Sequence, residues 1–577
     1  MKKIVRFIKP WKVPFILGWL FKLFEAILEL LLPIFMKEIL NKGIPNQDKD
    51  FIYQMLNYTL IVSVLGLLFA LVCQYVASKT SQGVGAEIRS EMLRKISAFS
   101  YRELDQFGTS TLINRMTNDV NNIQQAIAMT IRLVSRAPFL CIGSIILSFT
   151  IDASLTLIFI ILIPIISLLL YFFTTRTSRL YRAAQKKLDQ LGVIIKENLS
   201  GVRVIRAFAR WKTEKKRCDT ATEELADAYI HVSRLAVLSN PVTSILMNFG
   251  IIAILYFGGQ AVFEGRLEKG DILALSTYAT QLLLALVIVV NLIVLFTKAS
   301  ASSVRINEIL ETQPTLSFPE EDVALSAENS KIIQFENISF SYNGTEMALT
   351  DIDFSIRKGE SFGIVGTTGS GKSSVIHLLQ RFYDPDKGNI FLFGQNLKQF
   401  SQKQLRSLIG IVPQHSVLFS GTVADNLRWG NLHATEEEMW QALETAQAKD
   451  FVAALPKGLD SPINEGGKNF SGGQKQRLSI ARALVKKPEI LIMDDSLSAL
   501  DFRTDLLLRQ ALKRDLPGTT LIIVSQRISS VADAQTILLL DDGKIGAIGT
   551  HEELLAQNET YREIYQTQTD TKEVTAV

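Results

Sequence analysis

A helical membrane domain of six spans followed by a soluble α/β domain is the fold class predicted by this 577-residue sequence, and three observations predict it. The mean hydropathy of +0.21 is too apolar for a soluble enzyme. The apolar residues are concentrated before about Thr297, in tracts of roughly 20 residues that match the ~30 Å hydrocarbon core of a bilayer, and the rest of the chain has a globular composition. In that second half the run Ser361 to Val365 leads through Gly366-Thr367-Thr368-Gly369-Ser370-Gly371-Lys372-Ser373 into the helical pattern Ser374 to Leu379. This is the order strand, phosphate-binding loop, helix.

Residues 1–12 carry Lys2, Lys3, Arg6, Lys9 and Lys12 among Val5, Phe7, Ile8 and Trp11, the pattern of an interfacial helix on the cytoplasmic leaflet. The basic start and apolar run resemble a secretory signal, but Lys22, Glu25 and Glu29 interrupt the run and no small-residue cleavage site follows, so the segment is read as retained. The membrane domain is placed at 13–310, with spans near Val13 to Met36, Leu56 to Ala77, two within Ala137 to Phe173 split at Ile151-Asp152-Ala153, Pro241 to Phe263 and Ile272 to Thr297. Between Lys79 and Arg136, and again from Thr174 to Asn240, hydrophobicity falls while helical periodicity persists, which predicts helices continuing out of the bilayer. These extensions hold Arg176, Arg179, Arg182, Lys186 and Lys187, with Arg203 to Arg217 equally basic. The opposite turns hold only Lys42, Lys49, Arg266 and Lys269, so the positive-inside rule puts the extensions and the α/β domain in the cytoplasm.

A linker is read at 311–331, the α/β domain at 332–565 and a disordered tail at 566–577. The net charge of +4 is small for the length, and no nucleic-acid partner is expected. Cys73, Cys141 and Cys218 have no pairing pattern and read as packing residues in a reducing compartment. Lys22, Glu25 and Glu29 share one helix face, which fits either a polar wall of a translocation cavity or an ion pair between packed helices. Arg132 and Arg136 read as snorkelling anchors at the cytoplasmic interface.

The chemistry is carried by three segments. In the glycine-rich loop backbone N–H groups curl toward phosphate oxygens, Lys372 supplies a cation, and Ser373 offers a hydroxyl to Mg²⁺. The apolar run Ile490 to Met493 delivers Asp494, a carboxylate at a strand end suited to the Mg²⁺ shell. Ser471-Gly472-Gly473-Gln474 opens a second helix and forms a second anion site.

With these residues the chain resembles half-transporters of the ATP-binding-cassette exporter superfamily, of the six-span type I architecture, over nearly its whole length. The resemblance implies ATP and Mg²⁺ as cofactors and a multi-pass protein of the cell membrane. Tyr342 would stack on adenine, Gly366 to Ser373 and Ser374 would hold phosphate, and Ser373, Gln414 and Asp494 would reach Mg²⁺. Ser471 to Gln474 would clamp ATP bound to a second half-transporter chain, and Asp501 of Ser498-Ala499-Leu500-Asp501 would cross the interface with it. Segments near Ser100 to Phe107 and Ala207 to Glu214 are expected to touch the ATP domains.

Two positions depart from that pattern. Asp495 stands where the family has a glutamate that polarises the attacking water, and Gln526 stands where it has a switch histidine. Aspartate is shorter by a methylene, which withdraws its carboxylate by on the order of 1 Å, a displacement that can cost about 10²-fold. Glutamine hydrogen-bonds phosphate but carries no imidazole proton. The pair resembles the degenerate-site chain of bacterial heterodimeric multidrug exporters. This implies impaired hydrolysis at this chain's own site, an intact signature serving the partner's site, and export of lipophilic or amphipathic compounds. A homodimeric lipid, peptide or siderophore transporter, and an ATP-gated conduit or regulatory subunit, stay open. The aromatics Phe21, Phe24, Tyr75, Phe172, Tyr256 and Phe257 do not identify a cargo, because they are equally ordinary in a membrane.

Overall fold

The structure is a computed structural model that describes residues 4–325, 330–498 and 500–574. It divides into two compact units, one of Met1–Ser97 with Gly108–Thr312 and one of Ala98–Phe107 with Gln313–Val577.

The first unit is helical. A 3₁₀ segment, Ile4–Trp11, precedes α1 (Lys12–Glu38) and α2 (Lys49–Ser97). After the short α3 (Tyr101–Phe107), which belongs to the other unit, come α4 (Thr109–Asn114), α5 (Val120–Met129) and α6 (Arg136–Ile151). The last four helices are α7 (Ala153–Ser200), α8 (Val202–Ala207), α9 (Trp211–Phe263) and α10 (Lys269–Glu311). The predicted split at Asp152 is a cap: its backbone turns extended and its carboxylate accepts from Leu155 N at 2.8 Å, ending α6 and starting α7. Among the described residues five helices are long and apolar enough to cross a membrane, the segments from Lys49, Thr109, Ala153, Trp211 and Lys269. The sixth predicted span is α1, whose 27 residues reach about 40 Å but carry Lys22, Glu25 and Glu29 close together.

The interior of this unit is small-residue packing of α1, α6 and α10 around Ala26, Ala137, Ala274 and Ala285, joined where the Tyr278 hydroxyl donates to Leu30 O at 2.9 Å. A second cluster unites Leu155, Phe159, Met247, Ile254 and Leu275. Much of the remaining apolar surface points outward, as at Leu67, Leu168 and Phe249, which suits contact with lipid.

Arg136 is not a snorkelling anchor, because its Nη2 donates to both carboxylate oxygens of Glu29 at 2.8 Å. Glu29 lies about 25 Å along α1 from Lys12, far from the cytoplasmic end where such an anchor would sit. Lys22 pairs with Glu25 on the same helix at 2.7 Å, so of the two acidic residues singled out from sequence only Glu29 makes the ion pair between packed helices.

Among the described residues the second unit contains twelve strands, in chain order β1 (Lys331–Phe340), β2 (Leu349–Arg357), β3 (Ser361–Gly366), β4 (Lys387–Leu392), β5 (Gln395–Asn396) and β6 (Ile409–Val412). They continue as β7 (Gly421–Thr422), β8 (Pro462–Ile463), β9 (Ile490–Asp494), β10 (Thr520–Ser525), β11 (Thr536–Asp541) and β12 (Lys544–Gly549). A six-stranded sheet has the order β12-β11-β3-β10-β9-β6 and is parallel except for the β11–β12 hairpin; an antiparallel sheet has the order β2-β1-β4-β5. Strands β3, β9 and β10 are apolar between their end residues and largely buried on both faces, as central parallel strands must be. Their register puts Val524 beside Asp494 and Ser525 beside Val365, so three strands end at one level. A crevice at strand carboxyl ends is where α/β sheets bind ligands.

The segment 566–574, expected to be disordered, is helical, as the end of the helix Glu559–Val574. One local and two distant contacts account for it: the Thr567 hydroxyl donates to Glu563 O at 2.8 Å, and Gln568 donates to Gln526 O at 2.8 Å while accepting from Ile528 N at 2.9 Å.

Candidate nucleotide site

The loop between β3 and α11 (Lys372–Leu379) is curled by its glycines. Gly369 and Gly371 have φ of 87° and 97°, the left-handed region that a side chain resists. At Gly366 a Cβ would meet Leu540 O at 2.2 Å, so the strand can end there only without one. Lys372 Nζ donates to Gly366 O at 2.9 Å and Thr367 O at 2.6 Å, which holds the cation over the loop. Burial pushes its pKa down, opposed by Asp495 and Asp494.

Asp494 and Asp495 leave β9 side by side. Burial raises the pKa of Asp494, the charge of Asp495 adds to this, and Lys372 counteracts it. Asp495 itself is left-handed, φ 43°, with its N–H donating to Val524 O at 2.7 Å. That turn aims its carboxylate at two donors, Gln414 Nε2 at 3.3 Å and Ser525 Oγ at 3.5 Å. Gln526 reaches the phosphate loop from the end of β10, its Oε1 accepting from Thr368 Oγ1 at 3.3 Å. A cavity of about 430 Å³ collects Tyr342, Thr368, Lys372, Ser373, Gln414, Asp494, Asp495 and Gln526, although these come from five separate stretches of sequence.

The donor set fits Mg²⁺ with a triphosphate. Ser373, Gln414 and Asp494 offer only hard oxygen ligands, and no cluster of three or more His, Cys, Asp or Glu that would form a self-sufficient metal cage exists among the described residues. Bound Mg²⁺ would neutralise phosphate charge, and it would relieve the crowding of the two carboxylates.

Tyr342 is exposed, with its hydroxyl donating to Ser374 Oγ at 3.1 Å and lying 3.0 Å from His377 Nδ1. Its ring meets Tyr383 edge to face at 5.1 Å between centroids. Tyr383 in turn donates to Asp105 Oδ2 on α3 at 2.5 Å, and Tyr101 stacks on Phe382 at 4.1 Å. Glu103, buried on the same short helix, accepts from Ser100 N at 2.8 Å and Thr315 N at 3.2 Å. Desolvation works against its ionised form, and the hydrogen bonds from Ser100 and Thr315 outweigh it and lower its pKa. The expected docking of Ser100 to Phe107 on the α/β domain is thus present. The residues that receive it, Tyr383 and Phe382, were not identified from sequence; the only signal was an aromatic pair shortly after α11.

Two predicted groups lie outside the cavity. Ser471 caps the helix Gly472–Leu484 in a capping box, donating from its N–H to Gln474 Oε1 at 2.9 Å and accepting from Gln474 N at 3.3 Å. A Cβ at Gly472 would meet nothing within 4 Å, so this helix start presents an open face. Asp501 caps the helix Phe502–Asp515, accepting from Thr504 N at 3.0 Å, and the hydrogen bonds from Thr504 lower its pKa. Ala499 of the same motif lies outside the described residues.

Residues 15–286 match the ABC transporter transmembrane region and residues 349–498 the ABC transporter domain. An uncharacterized ABC transporter ATP-binding protein, YfiB of Bacillus subtilis, is 36% identical over 569 residues, 98% of each chain. A probable multidrug resistance ABC transporter ATP-binding/permease protein, YheI of the same organism, is 34% identical over 487 residues, 83% of this chain and 82% of that one. The solved structure of a bacterial Atm1-family ABC exporter with ATP bound superposes with a TM-score of 0.81 at 25% identity, covering 97% of this chain and 99% of that one. The chain therefore belongs to the ABC transporter family, as an exporter-type half-transporter of the membrane with one transmembrane region and one cytoplasmic ATPase domain.

Proposed function

We propose that this half-transporter works as one chain of a heterodimer that exports lipophilic or amphipathic compounds, drugs among them, and that its own ATP site binds ATP·Mg²⁺ but hydrolyses it poorly. The observation that carries the reading is the pair Asp495 and Gln526. The shortened carboxylate is engaged by Gln414 and Ser525, and an amide bonded to Thr368 stands where a protonatable ring would be needed. Lys372 and the loop N–H groups hold the phosphates, Ser373, Gln414 and Asp494 hold the metal, and Tyr342 offers its ring to the base. Nothing in this set compensates for the missing methylene, so ATP binding outlasts hydrolysis.

A second chain is required by two features. Ser471 to Gln474 present an open anion-binding helix start away from the chain's own cavity. At the tip between α8 and α9, Phe208 is 74% exposed and Trp211 67%, an apolar pair at the far end of a cytoplasmic extension that suits a partner's ATP domain. Affinity purification from the native membrane tests the pairing. A co-purifying half-transporter with glutamate after its Mg²⁺ aspartate, and a histidine at the switch position, is expected; a stoichiometric homodimer would overturn it.

A further inference from the structure

The chain passes between its two units three times, after Ser97, after Phe107 and after Thr312. Buried carboxylates tie the second and third passages to each other, one within each unit. In the membrane unit the second passage leads through α4 into a π-helical turn, Arg115–Asp119, and the third leaves by the end of α10. Asp119 is 2% exposed, and Arg305 of α10 grips both its oxygens, Nε donating to Oδ2 at 2.8 Å and Nη2 to Oδ1. Ser302 Oγ donates to the same Oδ1 at 2.8 Å. At the other end of the turn Arg115 Nη1 donates to Glu308 Oε2 at 2.7 Å and to Arg305 O at 2.9 Å.

The ATP unit holds the second tie. Glu103 of α3 is 4% exposed and accepts at Oε1 from Thr315 N at 3.2 Å and from the Thr315 hydroxyl, while Ser100 N donates to Oε2 at 2.8 Å. Glu103 precedes the second passage and Thr315 follows the third. A carboxylate so deeply buried is costly unless paired, so each tie persists only while both its partners stay in place. Together the ties close one loop of chain, from Glu103 through Gly108 to Asp119, across to Arg305, and along α10 to Thr315. Between the ties only Gly108 and residues 312–314 lie outside helices, which leaves the loop little slack. The same α3 presents Asp105 to Tyr383 and Tyr101 to Phe382, and α10 is one of the helices able to cross a membrane.

We infer that Asp119 and Glu103 are positioning residues of the ATP-driven cycle: by closing this loop they make a displacement of α3 and a displacement of α10 one event. Neither touches nucleotide. They act through Arg305 and Thr315. Two independent stabilising contacts would lose their effects additively in free energy, whereas in a closed loop the first break releases the whole and the second adds nothing.

The test uses the transporter expressed in and purified from its own membrane, in nanodiscs, with Cys73→Ala, Cys141→Ala and Cys218→Ser as background. A polarity-sensitive fluorophore is attached at Leu284→Cys, a position of α10 that is 60% exposed. The rate of its emission change after rapid mixing with ATP is expected to fall about tenfold in Asp119→Asn and in Glu103→Gln, and the double variant to lie within about twofold of either. Affinity for a fluorescent ATP analogue is expected to stay within about twofold in all three. The exchanged pair, Asp119→Arg with Arg305→Asp, is expected to return the rate to within about threefold of the parent, which guards against a misfolded single variant. Losses that multiply to about a hundredfold in the double variant would make the ties independent stabilisers and overturn the proposal. An unchanged rate in either single variant would overturn it, as would a parent that binds ATP with no emission change at α10.

Discussion

Tyr383 donates its hydroxyl to Asp105 at 2.5 Å while its ring packs edge to face on Tyr342, so a helix drawn from the first cytoplasmic extension and the tyrosine assigned to the base share one neighbour. The link is short and directional. We propose that this contact, separate from Gln414, carries a change at the base to α3.

Tyr383→Phe keeps the ring contact and removes the donor to Asp105, a charge-assisted bond worth about 1.5–3 kcal/mol. ATP binding is expected to stay within about twofold, while stimulation of ATPase by transported compounds falls on the order of tenfold. Titration with a fluorescent ATP analogue, alongside stimulated turnover of the complex, separates the two. Loss of binding with coupling preserved would refute the link.

The signature and the water-activating position should respond unequally. Gly472→Glu adds a side chain where nothing stands within 4 Å, so the fold tolerates it, yet it enters the face offered to the partner's ATP. Turnover of the complex is expected to drop by about 10²-fold or more. Asp495→Glu acts on a site that still has Gln526, and its gain is expected to be less than about threefold, since general-base catalysis is worth ~10²–10⁴-fold only with its geometry complete. Steady-state ATPase of the two variants checks both.

Burial lowers the pKa of His377, against the opposing charge of Asp105. The folded state then binds fewer protons than the unfolded chain, whose histidine titrates near 6.5. Its contribution to stability is present above that value and lost as pH falls through it toward the folded pKa. Thermal unfolding of the ATP domain between pH 8 and pH 5 should therefore fall less steeply in His377→Gln than in the parent. Identical slopes would contradict the assignment.

Asp494 shows the opposite sign. With its pKa raised by burial and by Asp495, the ionised carboxylate costs stability at neutral pH, and the cost disappears as pH falls through the folded pKa. Asp494→Asn is expected to raise the nucleotide-free unfolding temperature by about 2–4 °C, an effect on the order of 1 kcal/mol. It should also forfeit the Mg²⁺-dependent part of the shift that ATP produces. Calorimetry with and without ATP·Mg²⁺ measures both.

Much of the site was legible in sequence because its parts are local. The curl of Gly366 to Ser373, the carboxylate after Ile490 to Met493 and the capping box of Ser471 with Gln474 are each set by residues within a few positions of one another, and backbone chemistry dictates them. The turn at Asp152 was readable for the same reason. Contacts between distant segments were not. Asp105 and Tyr383 are 278 positions apart, and Glu29 and Arg136 are 107 apart. Neither partner's environment is encoded near it, which is why Arg136 read as an interfacial anchor. The final helix escaped notice because its polar face pairs with Gln526 and Ile528, residues of another element.

Whether ATP is held but poorly hydrolysed at this chain's own site is decided by ATPase turnover of the purified protein with and without its co-expressed partner chain. The chain alone is expected to bind ATP and to turn over at least about 10²-fold more slowly than the complex, and Asp495→Asn to leave the rate of the complex nearly unchanged. Brisk hydrolysis by this chain alone, abolished by Asp495→Asn, would contradict that expectation.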